Sequence, residues 1–186
     1  TGPWDRGYSL VTTPAGYSPQ PLYIIATGDN SVDYADDVFK STDKGETWTE
    51  LHMPHASDFD AAQTLAVDPI MPQVLYVGTY HRDYTLLGYN DFFGEWDDFD
   101  LNNELPSHAA PSCIAINPND GSLYTGFSYQ ELYKTTDWDE NWYVSNTGLN
   151  NTYINAIAIH PDASDTAYAA IEGKFHIHKT LDGGET

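Results

Sequence analysis

Ser41-Thr42-Asp43-Lys44-Gly45-Glu46-Thr47-Trp48 is the stretch that decides the fold, because it recurs. Thr135-Thr136-Asp137-Trp138-Asp139-Glu140-Asn141-Trp142 and Thr180-Leu181-Asp182-Gly183-Gly184-Glu185-Thr186 repeat its chemistry, each behind an apolar, strand-like lead-in ending in lysine. The aspartates fall at 43, 137 and 182, so a further copy belongs near position 90. Asp91, Gly94 and Trp96 stand there as a worn version. In such a turn a short Asp side chain accepts backbone N–H groups, and Ser41, Thr135 or Thr180 does the same more weakly. Gly45 and Gly184 supply the left-handed residue; Asp139 takes that place in the third copy, where Asp is tolerated. Trp48 and Trp142 are expected to pack beneath their turns, each indole N–H close to a carbonyl.

A second motif keeps step with the first. Leu65-Ala66-Val67-Asp68-Pro69, Ile114-Ala115-Ile116-Asn117-Pro118 and Ile157-Ala158-Ile159-His160-Pro161 alternate apolar residues and end in X-Pro. Alternation at period two reads as a strand, and proline ends it because it has no N–H for the ladder. A second strand follows each: Val74–Gly78, Leu123–Gly126 and Ala167–Ala170, with Leu22–Ala26 filling that slot ahead of the first turn and Ser9–Val11 its inner strand. One repeat is therefore four short strands in about 45 residues, the period of a propeller blade. The chain reads as all-β: a β-propeller of four-stranded antiparallel blades. The blades span 1–52, 53–101 (degenerate turn), 102–146 and 147–186 (incomplete).

These residues resemble the Asp-box, or BNR-repeat, family found in sialidases, xyloglucanase-type glycoside hydrolases and sortilin-type receptors. The resemblance covers nearly the whole chain as blades. It implies that the box residues Ser41, Asp43, Gly45, Trp48, Thr135, Asp137, Trp142, Thr180, Asp182 and Gly184 are structural fasteners on the face away from any active site. A calcium reading of the turns fails because each aspartate stands without the dense oxygen run of an EF-hand loop.

Composition narrows the partners. In 186 residues, 28 acidic side chains face 7 basic ones, a net of −21. Such a surface repels phosphate backbones and lacks the Lys and Arg that displace counterions, which argues against nucleic acid. Cations, neutral sugars or a basic protein surface remain. Apolar residues at 40% still provide for a packed core rather than a disordered polyelectrolyte. No apolar run approaches the roughly 20 residues of a membrane span. Cys113 has no partner for a disulfide within the chain, and its place at the start of an inner strand suits core packing.

A ligand belongs on the loops opposite the box turns, since long loops on a rigid scaffold carry function. The candidate ligand face comprises Asp33, Tyr34 and Asp36; His52, His55 and Asp58; Tyr80, His81, Arg82, Asp83 and Tyr84; and Tyr153. Carboxylates interleaved with tyrosines suit sugar hydroxyls and ring faces, or cations. His176 and His178 share a strand face, and His52 and His55 flank Met53-Pro54, but neither pair has a clear third ligand. No metal and no cofactor is therefore expected.

No G-x-S-x-G elbow, P-loop, dinucleotide fingerprint or H-E-x-x-H motif occurs. Function is thus expected to be that of an extracellular or cell-surface module, non-catalytic, binding a glycan or protein ligand. The alternative is a glycoside-hydrolase fragment. The resemblance implies that sialidases grip a substrate carboxylate with an arginine cluster, yet only Arg6 and Arg82 are present. A xyloglucanase-like mechanism needs two carboxyl groups across a cleft, and spacing alone selects no pair, so catalytic residues stay unassigned. A sortilin-like peptide binder would favour basic ligands. The chain is expected to continue past Thr186, or a second copy to close the ring.

Overall fold

The computed structural model describes residues 7–27, 36–54, 61–80, 85–99, 104–106, 109, 111–127, 130–137, 141–149, 153–172 and 176–185; side chains are described for these except at positions 7, 8, 27, 36 and 176. Within them no helix forms. The apolar alternation instead builds four antiparallel sheets in chain order. The first holds β1 (Gly7–Thr12), β2 (Leu22–Thr27), β3 (Asp36–Ser41) and β4 (Thr49–Glu50). The second holds β5 (Ala61–Val67), β6 (Val74–Tyr80), β7 (Leu86–Asn90) and β8 (Glu95–Asp98). The third holds β9 (Pro111–Ile116), β10 (Leu123–Phe127), β11 (Leu132–Thr135) and β12 (Tyr143–Val144). The fourth has three strands among the described residues: β13 (Ile154–Ile159), β14 (Ala167–Ile171) and β15 (His176–Thr180).

Every neighbouring pair is antiparallel, so each sheet is a simple meander of sequential strands. The innermost strands stack in order, β5 against β1, β9 against β5 and β13 against β9. Successive sheets stacked face to face about their first strands are the blades of a β-propeller. The core lies between blades rather than within them. Tyr23, Ile25 and Val38 of the first blade bury against Ala62, Leu65, Leu75 and Val77 of the second. Tyr76 and Leu86 of the second bury with Leu123 and Phe127 of the third. Cys113, Tyr124 and Leu132 of the third bury with Ile154 and Ile171 of the fourth.

The middle strands are sandwiched on both sides, which explains their unbroken apolar character: β6 and β10 are buried almost throughout. Two glycines make the close approach possible. A Cβ on Gly78 would stand 2.8 Å from Pro111 Cβ, and one on Gly126 would stand 2.6 Å from Ile154 Cγ2, each in the next blade's inner strand. Glycine is there because a side chain would push the blades apart.

The meander sets two ends for every blade. Residues 13–21 and 42–48 turn at one end of the first blade, while β2 ends at Thr27, β3 begins at Asp36 and β4 ends at Glu50 at the other. The pattern repeats in the remaining blades, so the Asp turns share one face and the other strand ends, called the loop end below, share the opposite one.

Candidate functional site

The Asp turns come first, because they decide which carboxylates are available for anything else. Asp43 Oδ1 accepts from Ser41 Oγ at 2.8 Å and from the Thr47 amide at 2.8 Å, and Oδ2 accepts from Thr47 Oγ1 at 2.5 Å. Ser41 Oγ in turn accepts from the Gly45 amide at 2.8 Å. Lys44 and Gly45 both take left-handed φ, at 65° and 90°. The glycine was legible in the sequence, and the lysine was not. The third copy uses Asn141 in place of threonine: its amide and side-chain nitrogen donate to Asp137 at 3.1 Å and 2.7 Å, with Thr135 Oγ1 at 2.8 Å. In the fourth, Thr180 Oγ1 donates to Asp182 at 2.6 Å and accepts from the Gly184 amide at 3.1 Å.

These donors fix the ionisation of the turns. The Thr47 hydroxyl and amide, with Ser41, hold the Asp43 carboxyl down from 3.8 to about 2. Asn141 and then Thr135 lower Asp137 likewise. A carboxylate committed to its own turn in this way is a poor acid or base near neutrality.

The second blade's turn departs from the pattern. Asn90 Oδ1 accepts the Phe92 amide at 3.1 Å, and the Asn90 carbonyl accepts the Gly94 amide at 2.8 Å. Asp91 instead reaches the first blade, where Lys40 Nζ meets its Oδ1 at 2.5 Å. Tyr23, beside it, has its hydroxyl pKa driven up by burial and by Asp91. Between the third and fourth blades, Lys134 and Tyr124 stand in the same positions and donate to the Gly183 carbonyl at 2.8 Å and 3.0 Å. A lysine and a tyrosine on one blade thus clasp the turn of the next.

A further set of buried polar residues was visible only as strand ends. Asp68 is buried and caps its X-Pro turn, accepting the Ile70 and Met71 amides at 2.7 Å and 2.9 Å. Asn117 does the same for Asn119 at 3.0 Å and donates to the Ser164 carbonyl at 3.0 Å, tying the third blade to the fourth. His160 Nδ1 accepts the Asp162 amide at 3.1 Å. The signal was present: Asp, Asn and His each precede proline at the same point of the repeat.

Of the residues expected on the ligand face, Asp33, Tyr34, His55, Asp58, His81, Arg82, Asp83 and Tyr84 lie outside the described residues, as does Asp139 among the turn residues. Asp36 begins β3 opposite Thr27. Tyr80 is exposed at the end of β6, opposite Ala61. His52 is exposed just past β4, with a left-handed φ of 45° and its Nδ1 3.0 Å from Glu50 Oε1. Tyr153 is half-buried ahead of β13, and its carbonyl accepts the Glu172 amide at 2.9 Å. These four thus fall at the loop end of the first, second and fourth blades. Among the described residues no three His, Cys, Asp or Glu side chains come together as a metal site. No helix is long and apolar enough to cross a membrane among the described residues.

Cys113 is buried, and burial raises its thiol to about 11, which makes it a packing residue rather than a nucleophile. Glu104, in the acidic inter-blade loop, accepts the Trp142 amide at 2.6 Å.

No family model matches the chain, and no curated protein matches it. Solved structures do. The chain is similar to the extracellular domain of a one-component system from B. thetaiotaomicron, at 15% identity and a TM-score of 0.69 over 94% of this chain and 21% of that one. It is similar to the GH74 enzyme of Niastella koreensis, at 18% identity and a TM-score of 0.69 over 97% of this chain and 29% of that one. An auxiliary nutrient binding protein from Bacteroides thetaiotaomicron matches at 10% identity and a TM-score of 0.65, over 95% of this chain and 38% of its own. The fold is a β-propeller. At these identities the likeness extends to the fold alone, and the chain spans between about a fifth and two fifths of the structures it matches.

Proposed function

We propose that the chain is a set of Asp-box blades from an extracellular or cell-surface β-propeller, partitioned at 1–52, 53–101, 102–146 and 147–186. It acts as a non-catalytic binding or scaffold module for a glycan or protein ligand. The observation that carries this reading is the division of labour among the carboxylates. Asp43, Asp137 and Asp182 are spent on their own turns, Asp68 on a cap and Asp91 on Lys40. The acidic and aromatic residues that the sequence puts on the opposite loops are the proposed ligand contacts. A net charge of −21 favours basic or neutral partners over polyanions. Likeness to a nutrient binding protein and to the extracellular domain of a one-component system supports the same reading.

The likeness to a GH74 enzyme over 97% of the chain favours one second reading, a glycoside-hydrolase fragment. Calorimetric titration of the 186-residue chain with xyloglucan oligosaccharides and with a basic peptide, at low and high salt, separates the ligand classes. Salt-insensitive sugar binding supports a glycan module, and peptide binding that weakens steeply with salt supports a protein ligand. Release of reducing ends from xyloglucan would overturn the non-catalytic reading.

A further inference from the structure

The turn of the second blade holds two aromatic rings out in solvent. Phe92 and Phe93 lie at its tip, 80% and 67% exposed, with ring centroids 5.0 Å apart and planes at 89°. They are not surplus core residues, because the interior beside this turn is already filled by Tyr89 and Trp96, whose centroids are 4.9 Å apart. At the two places after the turn aspartate the first blade carries Lys44 and Gly45, and the fourth Gly183 and Gly184. The backbone under the pair is fixed from several sides. Asn90 Oδ1 accepts the Phe92 amide at 3.1 Å, the Asn90 carbonyl accepts the Gly94 amide at 2.8 Å, and the Gln73 carbonyl accepts the Asp91 amide at 2.7 Å. Lys40 holds the Asp91 carboxylate from the first blade.

Beside the pair opens a groove of about 500 Å³, counting its open mouth, between the first and second blades on the Asp-turn face. Phe92, Phe93, Asn90 and Gln73 line it from the second blade and Tyr17 from the first. Tyr17 stands on a closed turn, its amide and the Gln20 side chain both donating to the Pro14 carbonyl, at 3.3 Å and 3.2 Å. The lining is three aromatic rings, two carboxamides and a phenol hydroxyl, with no charged side chain, on a chain of net charge −21. An ionic ligand would find no countercharge there. A wholly apolar one would cover the carboxamides without giving them a partner, which costs free energy. A neutral ligand with apolar faces and a rim of hydroxyls satisfies both kinds of lining. A few polar groups set among aromatic rings, in a cleft of this size, is the usual composition of a small-ligand site.

We propose that this groove binds a neutral oligosaccharide of equatorially linked pyranoses. In such a sugar the axial C–H bonds make flat apolar faces and the hydroxyls form the rim. One pyranose stacks on a phenylalanine ring while the second ring, at right angles, borders its edge. The hydroxyls exchange hydrogen bonds with the Gln73 carboxamide and the Tyr17 hydroxyl. Asn90, whose oxygen is occupied by the Phe92 amide, offers its NH₂ as a donor. The site goes beyond the loop-end reading and stands whether or not a ligand binds there.

The test is a titration of the ¹⁵N-labelled 186-residue chain with cellohexaose at low and high salt. Two double variants accompany it, Phe92→Ala with Phe93→Ala and Phe92→Tyr with Phe93→Tyr; both side chains are exposed, so the fold should survive either. The expected result is a saturable shift of the amides of Tyr17, Gln73, Phe92, Phe93 and Gly94, indifferent to salt because no charge lines the groove. The alanine variant should bind at least about tenfold more weakly, as loss of an aromatic anchor requires, and the tyrosine variant should bind like the parent. Groove shifts with the loop end silent would support this site and count against a glycan at the loop end. Loop-end shifts with the groove silent would do the reverse. No groove shift at millimolar sugar, or equal binding by the alanine variant, would overturn the proposal. Groove signals that move with protein concentration and ignore the sugar would assign the phenylalanine pair to contact between copies, and overturn it as well.

Discussion

Replacing Gly126 with alanine adds one methyl group at a close contact between the third and fourth blades. The new Cβ would stand 2.6 Å from Ile154 Cγ2, 2.7 Å from Ile154 Cβ and 2.9 Å from Cys113 Sγ. Rotamer changes do not relieve the second of these, because Cβ is fixed to the backbone. Ile154 is fully buried and pairs with Ile171, and the Ser112 hydroxyl lies within hydrogen-bond reach of both the Gly126 and Ile154 carbonyls. Relief therefore requires β13 to move as a unit. Overpacking of this kind costs about 1–3 kcal/mol. Urea unfolding followed by tryptophan fluorescence and by circular dichroism reads the change as a lowered midpoint at constant slope. Ile154→Ala removes Cγ2 and on its own costs about 2–5 kcal/mol through the cavity it leaves. In the double variant the two costs should fall short of additivity by at least about 0.5 kcal/mol, since each change relieves the other. A Gly126→Ala protein as stable as the parent, or strictly additive costs, would refute the close blade contact.

Four other outcomes follow from the same contacts. Trp142→Phe keeps the ring but loses the N–H donated to the Phe99 carbonyl, and should cost about 1–3 kcal/mol by denaturant unfolding; no loss would remove the indole from the interface. The Asp43 carboxyl is held at about 2, below its usual 3.8, so its share of stability is present above 3.8 and fades as pH falls through about 2. A carboxyl titration by NMR with a midpoint near 4 would contradict that. Asp91→Ala leaves the half-buried Lys40 ammonium without its carboxylate and should cost about 1.5–3 kcal/mol; a neutral result would demote the pair to a surface contact. Cys113 should resist a thiol reagent at pH 8 in the folded protein and react at once in denaturant, whereas rapid native labelling would expose it.

The sequence disclosed what is local. Asp43 bonds Ser41 and Thr47, two and four residues away, so the turn's chemistry is written in one short string that can be seen to recur. The X-Pro strands were legible for the same reason, and the propeller followed from their regular spacing. Long-range partners were not legible. Lys40 meets Asp91 and Asn117 meets Ser164 across blades, and nothing in a local pattern names a partner about a whole repeat away. The second blade shows where locality fails: Asp91 occupies the position of the turn aspartate but has Tyr89 two residues before it instead of Ser or Thr, so its carboxylate answers to the neighbouring blade. Gly78 and Gly126 looked like ordinary strand residues, and only the stacking of the next blade explains them. On the ligand side, the sequence nominated loops by composition; the described residues place Tyr80, His52 and Tyr153 at the loop end without joining them into one cluster.

The most direct measurement of the central claim maps a bound ligand onto the two faces. Backbone amide shifts of the ¹⁵N-labelled chain would be followed during titration with whichever xyloglucan oligosaccharide or basic peptide binds in calorimetry. Shifts are expected at the loop end, including His52, Tyr80 and Tyr153, with the amides of Gly45, Thr47 and Asn141 unmoved. Shifts centred on those turn amides, with the loop end silent, would place the ligand on the Asp-turn face and contradict the account.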